Sequence, residues 1–103
     1  MGKDEKLRIL VKEPGKKPLM TWIPKDPDKY EEVVGGHVEL MRFGDILCIC
    51  DEQGKAWGKK KCCKIGDLTL AGTVFFCSLI NGKIASLNMS EEDVKKKLPS
   101  LWE

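Results

Sequence analysis

Thr73 to Ile80 reads TVFFCSLI, eight residues without a charge. An apolar run of this length, rich in β-branched and aromatic residues, predicts a strand covered on both faces. Asn81-Gly82 closes it with a turn signal. A strand buried on two sides needs a layer of cover on each, and the flanking segments must supply both.

Working outward, ILCIC at 46–50 is apolar at every position. In a strand Ile46, Cys48 and Cys50 share one face, and Leu47 and Ile49 share the other. This reads as a second central strand in which cysteine serves as a small apolar residue. A turn at Glu52-Gln53-Gly54 and a return strand after it are expected. Before it, HVELMRFG reads as a strand with Val38, Leu40 and Arg42 on one face and His37, Glu39, Met41 and Phe43 on the other. Leu7–Lys12 and Leu19–Ile23 predict a hairpin across the Pro/Gly cluster EPGKKP. Residues 59–72, KKKCCKIGDLTLAG, are punctuated by Gly66-Asp67 and Ala71-Gly72, which leaves their element type open. The core expected from these strands is Ile9, Val11, Val38, Leu40, Ile49, Val74, Phe76 and Leu79.

Two helices are signalled by their ends. Asp26 is a capping residue with Pro27 at the first helical position, Tyr30, Val33 and Val34 form an apolar stripe, and Gly35 supplies the left-handed stop. Ser90 caps the second, with Asp93 three residues on and Met89 and Val94 at the staple positions. Its acidic start and its run of Lys95, Lys96 and Lys97 match the helix dipole, and Pro99 ends it. Trp102 is placed to fold back onto the core.

The chain has 103 residues, 42% hydrophobic and 33% charged, which is enough for one globular domain with a core that needs no staple. Residues 1–6 are expected to fray. A net charge of +2 does not by itself call for nucleic acid or an acidic membrane. No apolar run approaches a membrane span and no leader pattern opens the chain, so a cytoplasmic protein with five reduced cysteines is expected.

The cysteines are the main candidates for chemistry. A zinc knuckle spaces its paired ligands by two to four residues so that both thiolates converge on one ion. Cys48-x-Cys50 and adjacent Cys62-Cys63 have neither spacing, and neighbours in a regular strand point apart. The metal or thiol alternative is Cys48, Cys50, Cys62 and the single histidine, His37. Lysines around Cys62 and Cys63 favour the thiolate there. The nucleic-acid alternative is Trp57 with Lys59, Lys60, Lys61 and Lys64, a ring and a basic run. No phosphate loop, dinucleotide fingerprint or nucleophile elbow occurs.

The motifs Glu13-Pro14-Gly15, Val34-Gly35-Gly36 with Val38-Glu39, Asp51-Glu52-Gln53-Gly54-Lys55, Gly66-Asp67, Gly72-Thr73 and Ser86-Leu87 resemble a small bacterial and phage domain family of unknown function. The resemblance runs from about Leu7 to Leu98. It implies a single α+β domain of bacterial chromosomes, phages and mobile elements, and it brings no activity, cofactor or catalytic residue. The chain departs from the family at KKKCCKI, where members often carry a polar stretch.

The sequence therefore reads as an α+β domain over 1–103, a mainly antiparallel sheet of five or six strands with two short helices. The expected function is a non-enzymatic accessory or binding protein with an unknown protein or small-molecule partner and no cofactor. The alternatives are the small Cys/His metal or thiol protein and the weak nucleic-acid binder.

Overall fold

The computed structural model describes residues 5–54 and 58–103. The strands are β1 (Lys6–Lys12), β2 (Leu19–Pro24), β3 (Val38–Phe43), β4 (Ile46–Asp51), β5 (Lys61–Ile65), β6 (Leu68–Ala71), β7 (Val74–Ile80) and β8 (Lys83–Ala85). The helices are α1 (Pro27–Val34) and α2 (Glu91–Lys97), followed by a 3-10 turn over Pro99–Trp102. The main sheet runs β2-β1-β7-β4-β3, with β8 also paired to β7, and every pairing is antiparallel. β5 and β6 form a separate two-stranded hairpin.

β7 is the central strand expected of TVFFCSLI. Residues 74–78 are all buried. Phe75 and Cys77 pack with Leu7, Ile9, Leu47 and Ile49 beneath α1. Phe76 and Val74 pack on the opposite face with Leu10, Cys48 and Leu87 beneath the hairpin and α2. Alternation along one strand thus feeds two cores.

The local signals hold. Asp26 accepts the Asp28 N–H at 3.0 Å, Pro27 opens α1, and Gly35 closes it at φ 79°. Tyr30 and Val34 are buried, and the Tyr30 ring stands 5.7 Å from that of Phe75. Ser86 and Leu87 dock on β1, where Ser86 Oγ accepts the Arg8 N–H and Leu87 N–H bonds the Arg8 carbonyl. Trp102 folds back against the core, with the Lys95 ammonium 5.9 Å from its ring.

Ser90 Oγ accepts the Asp93 N–H at 3.1 Å, and Val94 just beyond is fully buried. α2 is therefore part of the cooperative fold, and Ser90→Ala should cost about 1 kcal/mol, the usual value for a lost cap. Thermal unfolding should fall by roughly 4–8 °C in a domain of this size. An unchanged transition, with rapid amide exchange over 91–98, would instead mean that α2 detaches before the domain unfolds.

Four expectations need correction. β4 pairs with β3 on one edge and β7 on the other, so no edge is left for a return strand after the turn. Gly58 lies in a turn, and residues 55–57 of that expected strand lie outside the described residues. Leu40 is 52% exposed rather than core: it lies on the edge strand, and α1, which packs on β3, β4 and β7, leaves it uncovered. Lys6 is already paired in β1, so the ordered chain begins earlier than expected. Finally, the register of β5 against β6 shifts between Lys61 and Cys63. That irregularity breaks the alternation, and Cys62 and Cys63 both pack toward the core that holds Cys48 and Cys50.

Candidate functional site

β4 ends at Asp51, whose side chain is 3% exposed. A buried carboxylate requires partners. Lys59 Nζ stands 2.5 Å from Asp51 Oδ2, an ion pair set off the best hydrogen-bonding angle. Oδ1 accepts the Gln53 N–H at 3.0 Å. The same ammonium donates to the Val34 and Gly35 carbonyls, each at 3.0 Å. These carbonyls are orphans at the C-terminus of α1, where positive charge is favoured. One lysine thus ties the end of α1 to the end of β4. Burial alone would raise the Asp51 pKa, but Lys59, the Gln53 N–H and the nearby His37 outweigh it and hold the carboxyl below its ordinary value.

Two glycines make room for this clamp. A Cβ on Gly36 would lie 2.7 Å from both Asp51 oxygens. A Cβ on Gly72 would lie 2.8 Å from Lys59 Cδ, and Gly72 also sits at φ 77°.

The clamp fixes the turn at 52–54, which rims a cleft of about 340 Å³ between the β3–β4 end of the sheet and β6. Its lining is Glu39 and Met41 from β3, residues 50–54, and residues 68–71. Met41, Leu68 and Leu70 make an apolar floor, while Glu39 and Glu52 bring carboxylates. Neither lysine nor arginine occurs among the described residues of that lining. Among the described residues, no cation lies within ion-pair distance of Glu39 or Glu52.

Cys48, Cys50 and Cys63 share one buried cluster, and Cys62 packs partly against it. Cys50 Sγ donates to the Glu39 carbonyl at 3.8 Å and Cys62 Sγ to the Lys12 carbonyl at 3.3 Å. Contact with Cys50 and burial push the Cys48 thiol up, and burial pushes Cys77 up to about 12. Contact with Cys63 and the field of Lys12 draw the half-buried Cys62 below its ordinary value against the effect of burial. Brief alkylation near pH 8 should therefore label Cys62 first and the fully buried Cys48 and Cys77 last, as read by peptide mass spectrometry. Early labelling of Cys77 would place β7 at the surface.

The structure does not assemble the Cys/His set proposed from sequence. Cys48, Cys50 and Cys62 adjoin one core, but His37 is 85% exposed, with Nδ1 3.2 Å from Glu31 Oε2, and lies outside that core. Among the described residues, no three His, Cys, Asp or Glu side chains are arranged to hold a metal ion. In the basic run Lys59 is committed to Asp51, whereas Lys60, Lys61 and Lys64 are exposed. Trp57 lies outside the described residues. Among the described residues, no helix is long and apolar enough to cross a membrane. The Asp51–Lys59 pair has no signal in the sequence beyond a carboxylate ending an apolar strand.

The segments most distinctive in sequence meet at this clamp. Val34-Gly35-Gly36, Asp51 to Gly54 and Gly72 all surround the Lys59 side chain or its carboxylate partner. A family model for a domain of unknown function, DUF3846, matches residues 7–99. The chain belongs to that family. No curated protein and no solved structure matches it. The DUF3846 match takes in both helices and, apart from Lys6, every described strand, so the clamp and the cleft lie within the matched residues.

Proposed function

We propose that this protein is a cytoplasmic, non-enzymatic accessory protein of bacteria, phages or mobile elements that binds a positively charged ligand in the cleft beside β3. The observation that carries this reading is the lining of that cleft. Besides Asp51, which is committed to Lys59, a chain of net charge +2 presents there the carboxylates of Glu39 and Glu52 over an apolar floor, with no basic side chain among the described residues of the lining. Preformed concave sites with an apolar floor and a few polar groups are the usual form of ligand pockets. Nucleophilic catalysis needs a base within reach of the nucleophile. The cleft's one thiol, on Cys50, is buried, and His37 pairs with Glu31 outside the lining. Those placements favour binding over catalysis.

Titration of isotope-labelled protein with spermidine tests the reading. The amides of Glu39, Gln53 and Thr69 should shift, and the shifts should weaken at high salt. Glu39→Lys with Glu52→Lys should abolish them. Equal shifts in the double variant would remove the cleft as the site.

A further inference from the structure

We infer that β3 takes up an additional antiparallel strand from a partner protein, an extended segment that sets a lysine or arginine opposite Glu39 and an apolar residue opposite Met41. This rests on the binding role of the acidic cleft and names its partner.

Among the described residues, β3 is the last strand of the sheet and pairs only with β4, so its outer edge has no strand partner there. Such an edge is a template for another strand unless something blunts it. The edge at β2 is blunted, since Pro18 precedes the strand and Pro24 ends it. β3 contains neither proline nor lysine over its six residues. It also leaves apolar surface on both faces. Leu40 is 52% exposed on one face, and Met41 and Phe43 are partly exposed on the other.

The side chains of an added strand would lie about 4.5–5.5 Å from those directly opposite. On the face of Glu39 and Met41 they would enter the cleft, whose described lining residues include carboxylates and no lysine or arginine. Charge complementarity therefore asks for a basic residue facing Glu39. A second copy of this chain fits less well. Paired about Leu40, it would set Met41 opposite Glu39 and bring the two Glu39 carboxylates to diagonal positions, about 7–8 Å apart.

The test uses a capped peptide of about eight residues, alternating valine and threonine, with one lysine placed to face Glu39. Binding should slow exchange of the outward-facing amides of Val38, Leu40 and Arg42 about tenfold or more, a difference easily read against the free protein. Proline at the peptide's centre should abolish binding, since it removes a ladder donor. Replacing the peptide lysine with glutamate should weaken binding, and Glu39→Lys protein should recover that glutamate peptide. Binding without protection of β3, or binding that tolerates the central proline, would overturn strand addition and leave the cleft reading standing. If neither peptide nor spermidine perturbs Glu39, Gln53 and Thr69, both readings fall. Protection of β3 in the protein alone, with a dimer in sedimentation, would make the occupant a second copy and overturn the partner.

Discussion

Replacing Asp51 with alanine lowers the stability of this domain by about 3 kcal/mol, the low end for removing one partner of a buried ion pair. The low end applies because Lys59 remains 27% exposed and keeps the Val34 and Gly35 carbonyls. Thermal unfolding should fall by roughly 12 °C or more, from about 4–8 °C per kcal/mol. Lys59→Met should also destabilise, because it leaves the Asp51 carboxylate buried without its counter-charge. The two changes together should cost clearly less than their sum, since each already breaks the same contact. Simple additivity in denaturant melts would show that the two side chains do not act as a pair.

The same clamp sets an acid limit. The folded pKa of Asp51 lies below its ordinary value of 3.8, so the folded state holds this proton more weakly than the unfolded chain does. Its contribution is then fully present above that ordinary value and is lost as pH falls through the folded one. The stability gap between the native protein and Asp51→Asn should stay constant above about pH 5 and narrow below about pH 4. A gap that widens in acid would reverse the assigned direction of the shift.

Phe75→Ala and Phe76→Ala should each cost about 3–5 kcal/mol, the range for deleting a buried aromatic ring. Both rings are fully buried, but on opposite faces of β7. Their local effects should therefore differ. Loss of Phe75 removes the surface under Tyr30 and should speed amide exchange in residues 27–34. Loss of Phe76 should loosen residues 61–71 and 91–97, which cover the other core. Marginal domains hold only about 5–15 kcal/mol in total, so the double variant should not fold at room temperature. If either single variant loosened both layers equally, the two clusters would form one core rather than two.

What the sequence determined by itself was local. Asp26, Pro27 and Gly35 bound α1 because capping chemistry acts within a turn of the backbone. Ser90 does the same for α2. TVFFCSLI marked a doubly covered strand because its composition leaves no face for water. The alternation in ILCIC placed Cys48 and Cys50 together on one face and Ile49 on the other. What tertiary structure decided was which edges were occupied and which distant groups met. With β3 and β7 on its two sides, β4 could not accept a return strand, so the segment from 61 to 71 folded as its own hairpin. The register shift beside Cys62 turned two adjacent thiols toward one core, against the alternation that a regular strand imposes. Leu40 was left exposed because it sits on the edge strand, where cover depends on the tertiary neighbours and not on the residue's hydrophobicity. Asp51 and Lys59 stand eight positions apart in the chain and meet only because the end of β4, the end of α1 and Gly72 converge. No helical or strand period encodes that meeting, and the cleft beside it exists only once β6 lies across the end of the sheet.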